Sequence, residues 1–400
     1  MNSEGNYEDH SCFFSRIFHR RRDQMTDCTH TDAHRRRREI HTVRLLPPPA
    51  EAQNAPIGII TGAEDGTVMR VLYDTRRQDG IRIYAPGDIC RHPGGRTVKA
   101  VSVHKENEFS HILCAGGAKE VLLAFRLTWF RDDSGAWDFK SSALIIPKPV
   151  DKPGTRAWTK GCGYVEPRAE SDQRIMDVAT YSHNGEMRVL YSTSRGVVAV
   201  VAMDENVRSW RNVSLLTYHT SPALTVDVWE SERTWACSGG TDGSIALWLL
   251  DDSENIAPAF VIERAHQSGV NALCITRGTN DDTLVVVSGG DDQTLRVQEF
   301  RVAGGSVSPQ RVASFEFAHS SAIRSLWTDG GRIISTSVDQ RVRLWDIATG
   351  YDDLCIEQRG GALTQAPEPE DIDVLPLTDG APTLVVAGRG FEIFDVTTWG

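Results

Sequence analysis

Three sets of residues in the second half of this chain are of the types a serine hydrolase uses. They are His219, Ser238 and Asp242; His266, Ser288 and Asp292; and His319, Ser335 and Asp339. A hydroxyl nucleophile, an imidazole to take its proton and a carboxylate to orient the ring would support acyl transfer, given an oxyanion site. Two observations turn the reading the other way. The set recurs once per repeat, and no strand-to-helix nucleophile elbow accompanies any copy. The same groups serve a structural end. An Asp in a tight turn accepts from backbone N–H groups and from a His ring, whose second nitrogen meets a Ser or Thr hydroxyl, which in turn meets an indole N–H. Trp248 and Trp345 complete that chain in two copies, while Gln298 takes the aromatic position in the third. A fainter copy holds Thr61 and Asp65 but has Val71 in the aromatic position, and its His34 is displaced by an arginine run. No Gly-x-Gly-x-x-Gly follows a strand. The eight cysteines form no Cys-x-x-Cys pair, so neither a zinc site nor a disulfide framework is indicated. No catalytic, cofactor-binding or metal-binding residue is expected, and these sets are expected to form a structural network.

The elements that must position these residues come from a repeated phrase. It reads Cys237-Ser-Gly-Gly-Thr-Asp-Gly-Ser-Ile-Ala-Leu-Trp248, then Val287-Ser-Gly-Gly-Asp-Asp-Gln-Thr-Leu-Arg-Val-Gln298, then Ile334-Ser-Thr-Ser-Val-Asp-Gln-Arg-Val-Arg-Leu-Trp345. A turn carrying an Asp joins two strands, and the Asp positions are 50 and 47 residues apart. That period, with its His and Trp-Asp content, marks a WD-repeat β-propeller. Seven strand triplets can be counted, beginning at Ile40, Val98, Ile175, Leu224, Val270, Ile323 and Ile372. Their apolar runs are bounded by Gly, Asp and Asn. The fold class is therefore all-β, a seven-bladed propeller over 34–400 behind a partly disordered N-terminal extension over 1–33. The seventh triplet ends at Val396, close to the last residue, so its outer strand must come from elsewhere. The apolar run at 12–18 is the expected closing strand.

Composition bounds the function further. The net charge is −11, which argues against wholesale electrostatic binding of nucleic acid. No run of eighteen apolar residues suggests a membrane span, and residues 1–39 carry no signal-peptide pattern. Scattered cysteines read as buried reduced thiols, which points to a cytoplasmic location. Arginine runs at 20–22 and 35–38 read as solvated charge or as a nucleic-acid or nuclear-targeting patch. The segment 147–168 is more informative. It holds Lys148, Lys152, Arg156, Lys160 and Arg168 against Asp151 and Glu166, with Trp158 and Tyr164 interleaved. Basic residues among aromatics suit backbone contact plus base stacking, and an ordinary surface loop docking its own aromatics fits as well. Lys148, Lys152, Arg156, Trp158, Lys160 and Arg168 are the candidate RNA or partner contacts.

Beyond the repeat, several phrases occur in a particular order. They are Arg38-Glu-Ile-His-Thr-Val-Arg with Thr61-Gly-Ala-Glu-Asp, then Arg174-Ile-Met-Asp-Val-Ala, then Ala265-His-Gln-Ser-Gly-Val-Asn-Ala-Leu. Ser335-Thr-Ser-Val-Asp-Gln-Arg-Val, Asp371-Ile-Asp-Val-Leu-Pro-Leu and Val386-Ala-Gly-Arg-Gly-Phe-Glu-Ile-Phe follow. In that order, over roughly 34–396, the chain resembles the C-terminal third of the WD repeat-containing protein six family, partner subunits of a tRNA ribose methyltransferase. The resemblance implies a non-catalytic adaptor. An FtsJ-like enzyme would supply the S-adenosylmethionine site, and the adaptor would direct it to the anticodon wobble nucleotide for 2′-O-methylation. Its partners would be that methyltransferase and, through the complex, tRNA, with no small-molecule substrate and no membrane span. Family members are longer, with further propellers ahead of this one, and the sequence reads as a fragment or as a truncated gene model. The alternatives are a substrate receptor of a cullin-type ubiquitin ligase and a trafficking or signalling scaffold. Ligase receptors resemble one another in a Trp-Asp-x-Arg phrase. The two Trp-Asp pairs here, Trp137-Asp138-Phe-Lys140 and Trp345-Asp346-Ile-Ala348, lack the Arg.

Overall fold

A computed structural model describes residues 17–20, 39–52, 55–73, 83–92, 97–146, 173–278, 280, 282–349, 354–375 and 383–395. Every described element is a strand, and no helix among the described residues is long and apolar enough to cross a membrane. The strands form seven sheets. We number the sheets as blades one to seven in chain order. Their innermost strands are Ile40–Leu46, Val98–Lys105, Ile175–His183, Ala223–Trp229, Val270–Arg277, Ile323–Thr328 and Asp371–Leu375.

The triplet pattern reappears with most boundaries displaced by no more than a residue or two. Added to it are fourth strands at Ile83–Arg91, Trp137–Ile145, Ser209–Leu216, Phe260–Ile262, Ser306–Phe315 and Leu354–Leu363. Blade seven takes its fourth strand from Ile17–Arg20, which pairs parallel with Gly390–Asp395 from Ile17↔Phe391 to Arg20↔Phe394. The expected closing strand covered 12–18, of which 12–16 lie outside the described residues. Blade three gains a fifth strand, Asn255–Ile256, reaching across from blade four to pair parallel with Leu215 and Leu216.

The repeated phrase is apolar on both sides for a reason. The second strands read as unbroken buried runs, Ile57–Ala63 and Thr283–Gly290 among them. Each blade is sandwiched between two others, so both strand faces meet protein, as in sheets covered on both sides. Seven apolar clusters result, one at each blade-to-blade junction, including that between blades seven and one. The Ser-Gly of the phrase fits the same packing. A Cβ on Gly239 would lie 2.8 Å from Val270 Cβ, and one on Gly289 2.5 Å from Ile323 Cγ2. A side chain at either position would push the next blade away. Among the cysteines, Cys114 and Cys237 are buried, but Cys355 is exposed, against the expectation of buried thiols.

Candidate functional site

The His, Ser, Asp and Trp side chains come together at the junction of a blade's second and third strands with the loop that leads into it. Blade six holds the whole chain. His319 Nδ1 lies 3.1 Å from Asp339 Oδ2, and His319 Nε2 lies 2.8 Å from Ser335 Oγ. Trp345 Nε1 donates to the same Ser335 oxygen at 2.9 Å. The carboxylate also accepts from the Ser320 and Arg341 backbone N–H groups. These partners assign a neutral ring that carries its proton on Nδ1 and accepts the serine proton on Nε2. Burial lowers the His319 pKa to about 4, which keeps the ring neutral near pH 7. Burial raises the Asp339 carboxyl, but the Ser320 N–H, His319 and the Arg341 N–H outweigh it, and it sits below the ordinary range.

Blade five keeps most of the arrangement. His266 Nδ1 is 2.9 Å from Asp292 Oδ1, His266 Nε2 is 2.8 Å from Ser288 Oγ, and the Gln267 N–H donates to Asp292. Gln298 does not reach the serine. It is buried and donates to the Arg311 and Glu299 carbonyls instead.

Blade four departs from the expected full set. His219 bonds Ser238 at 2.8 Å and Trp248 bonds Ser238 at 3.0 Å, but His219 Nδ1 is buried with no hydrogen-bond partner. Asp242 is exposed and accepts from the Ser244 N–H of its own turn. In blades five and six the N–H following the histidine holds the carboxylate over the ring, and Thr220 makes no such bond to Asp242. In blade one Asp65 accepts from the Thr67 N–H and hydroxyl, while Thr61 Oγ1 is buried without a partner. His34 lies outside the described residues.

None of these serines can act as a nucleophile in this arrangement. Ser238, Ser288 and Ser335 are at most 1% exposed, so no substrate carbonyl can approach them. Sequence reasoning missed a further member, His92. Its N–H bonds the Gly66 carbonyl just as the His266 N–H bonds the Gly243 carbonyl. Its ring also makes a hydrogen bond with the Ala118 backbone. His92 stands six residues before the inner strand at Val98, as His34 stands before Ile40, and that spacing was the available signal.

A second constellation lines the central channel, a cavity of about 370 Å³ walled by the inner strands. There, side chains of one blade tie the backbone of the next. Thr42 Oγ1 accepts from the Val101 N–H, Ser102 Oγ from Thr180, Asp177 from Val226 and Asp227 from Ile275. Asp371 accepts from Val43 and Asp373 from Leu45, which closes the ring between blades seven and one. Arg44 Nη1 lies 2.7 Å from Asp371. Burial opposes the Arg44 charge, but Asp371, Asp373 and Asp177 outweigh it and raise its pKa. At the rim, ligand-type atoms of Glu39, His41 and Glu370 lie within 4.8 Å of one another. The Lys99 ammonium, 3.2 Å from Glu370, already supplies a positive charge there.

The channel carboxylates make stability depend on pH. Burial pushes Asp227 up to about 7 and Asp373 up to about 6, from an ordinary value of 3.8. The folded state therefore holds these protons more tightly than the unfolded state. Their stabilisation is complete below 3.8 and is lost as pH rises through about 6 and 7. His319 acts oppositely. Its folded value of about 4 lies below 6.5, so its contribution is present above 6.5 and is lost as pH falls through about 4. Asp227→Asn is expected to remove the loss on the alkaline side. Its melting temperature should fall further below that of the parent at about pH 5 than at about pH 8. An equal deficit at both pH values would contradict the assignment.

The six candidate contacts Lys148, Lys152, Arg156, Trp158, Lys160 and Arg168 lie outside the described residues. Their point of attachment does not. The outer strand of blade two ends at Ile145, and Arg174 bridges to Ala118 in that blade's second turn. Ile145 and Arg174, the described residues on either side of it, thus lie at the end of the propeller that carries the Asp turns.

Comparison with known proteins agrees with this architecture. The family described as "WD domain, G-beta repeat" matches residues 259–297 and 310–346, within blades four to six. The tRNA (34-2'-O)-methyltransferase regulator WDR6 of Bos taurus is 24% identical over 246 residues, 52% of this chain and 21% of that protein. A probable inactive protein kinase of Dictyostelium discoideum is 32% identical over 128 residues, 30% of this chain and 9% of that protein. The crystal structure of the computationally designed Ika8 protein aligns with 90% of this chain and 97% of its own, at 16% identity and a TM-score of 0.48. The matched part spans about a fifth of the length of the WDR6 relatives. The chain is a seven-bladed β-propeller that carries WD40 repeats and is similar in sequence to the WDR6 regulators.

Proposed function

We propose that this chain is a non-catalytic WD-repeat adaptor that assists an FtsJ-like methyltransferase in 2′-O-ribose methylation of the tRNA wobble nucleotide, in the cytoplasm. The observation that supports it most is the likeness, over half the chain, to proteins named as regulators of a tRNA (34-2'-O)-methyltransferase. The buried serines are consistent with a propeller whose repeated polar residues hold blades together and leave the chemistry to a partner. On this reading the S-adenosylmethionine site lies on the enzyme, and tRNA is held by the complex.

Affinity purification of the tagged chain followed by mass spectrometry tests the partner. Recovery of a ribose methyltransferase is expected, and recovery of a ubiquitin-ligase linker in its place would overturn the reading. At residue level, 147–168 is the proposed RNA contact. Replacing Lys148, Lys152, Arg156, Lys160 and Arg168 with Ser should weaken tRNA binding by the complex and flatten its salt dependence. Trp158→Ala should cost about 1–3 kcal/mol per lost base stack with little change in salt slope. Unchanged tRNA affinity in both variants, with circular dichroism unaltered, would remove this segment from the RNA-binding surface.

A further inference from the structure

The outer corner between blades five and six carries an unusual concentration of exposed apolar side chains. Phe317 is 74% exposed, Leu363 53% and Phe315 37%. Phe317 also sits at φ 55°, in the left-handed region that bulky residues avoid. The matching position in blade five, two residues before the loop histidine, is Arg264 at φ 51°. The turn aims its side chain at water, and blade six places a phenylalanine where blade five places a charge. Folding gains nothing from that choice.

The corner has a defined shape. Phe315 ends the outer strand of blade five, and its ring packs 5.0 Å from Trp345 of blade six. Arg341 pairs with Leu363 across the last two strands of blade six, and Trp345 pairs with Gln358. Alternation along the strand puts Trp345, Arg343, Arg341 and Leu363 on one face, the face that meets Phe315. Phe315, Phe317 and Leu363 thus form an exposed apolar patch at this corner, with the buried Trp345 against Phe315.

Charge decides what fits there. Arg341 is exposed, Arg343 is half-buried, and neither makes an ion pair among the described residues. Arg343 donates to the neutral Gln358 at 2.9 Å. Asp339 of the adjoining turn is occupied by His319 and the Ser320 N–H. Two arginines without an ion pair therefore adjoin an exposed apolar patch in a chain of net charge −11. Leu363 gives the corner an aliphatic side that suits an inserted apolar side chain, and Glu316 beside Phe317 places the carboxylate-binding end of the corner at Arg341 and Arg343. The geometry points to this corner as a docking site for an acidic segment of another protein, one that inserts an apolar side chain between Phe317 and Leu363 and sets its carboxylates on Arg341 and Arg343. This assignment does not depend on which protein the adaptor serves.

Fluorescence anisotropy with the purified chain tests it. The probe is a labelled synthetic peptide alternating Glu and Asp with Leu and Phe. A version with Lys for the acids and a single-stranded RNA serve as competing probes. The acidic peptide should bind saturably. Phe317→Ser and Leu363→Ser should each weaken it by about tenfold, the scale of a single interface anchor. Arg341→Glu should weaken it and flatten its salt dependence. Melting temperatures of all three variants should match the parent, because the side chains are on the surface. Failure of the acidic peptide to bind, or equal binding by parent and variants, overturns the proposal. So does tighter binding of the lysine peptide or the RNA that is lost in Phe317→Ser. A dimer in sedimentation velocity that Phe317→Ser dissolves would instead make a second copy of the chain the occupant. None of these readouts involves a methyltransferase, so failure here leaves the adaptor reading untouched.

Discussion

Asp371→Ala is expected to cause the largest loss of stability of any single substitution considered. Its carboxylate accepts from the Val43 N–H of blade one, from Arg44 Nη1 and from the Ser325 hydroxyl of blade six, and it caps its own Ile372 N–H. The side chain thus joins three blades at the place where the ring closes. Removing it takes from Arg44 its hydrogen-bonded carboxylate, with Asp373 and Asp177 the remaining acids nearby, and leaves a buried N–H without its acceptor. Breaking one side of such a pair costs about 3–5 kcal/mol when burial is complete. Arg44 is 28% exposed, which places the expectation near the lower end of that range. Urea denaturation should show a lower midpoint. Arg44→Met combined with Asp371→Asn should recover part of the loss, since the Arg44 charge is gone and Asn can still accept from Val43. A double variant as unstable as the two single losses added together would show that the two residues are not coupled.

The turn carboxylates are expected to rank in the order their bonds dictate. Asp339→Ala frees His319 Nδ1 and the N–H groups of Ser320 and Arg341. Each buried group left unsatisfied costs about 1–3 kcal/mol. Asp292→Ala should be comparable, because His266, Gln267 and Thr294 lose the same kind of acceptor. Asp242→Ala should cost less, since its His219 nitrogen is already without a partner. Asp65→Ala should also cost less, because Val71 stands in the aromatic position and supplies no indole N–H to complete a network there. Thermal melts of the four variants decide the matter. A deficit for Asp242→Ala as large as that for Asp339→Ala would mean that the two networks are equivalent in solution.

Residues differ in how far their role was legible before the fold was known. His319, Ser335, Asp339 and Trp345 could be assigned together because local spacing fixes them. The serine and tryptophan are ten residues apart on adjacent strands of one hairpin, and a tight turn presents the aspartate. Blade four has the same letters and a different outcome, because the position of Asp242 depends on a backbone donor from the loop that leads into the blade. The channel residues were not legible at all. Asp177, Asp227, Asp371 and Asp373 are aspartates, but Thr42 and Ser102 do the same work in blades one and two, so no single residue type marks the set. What they share is a place on the inner strand: Thr42 and Asp177 lie at a register shift, Ser102 and Asp227 two residues beyond one, and Asp371 and Asp373 on a strand without one. The Phe315, Phe317 and Leu363 corner was likewise invisible, since an apolar residue in a strand-rich sequence reads as core until its neighbours are known.

By itself, then, the sequence determined the hairpins, their seven-fold repetition and the His-Ser-Asp-Trp set of blade six, because short apolar runs and turn chemistry act over a few residues. Tertiary structure alone decided how the ring closes and what its surface offers. Asp371 meets Val43 across 328 residues of chain. Phe315 meets Trp345 across a blade boundary. Such contacts depend on the angle at which whole sheets pack, which no local pattern encodes.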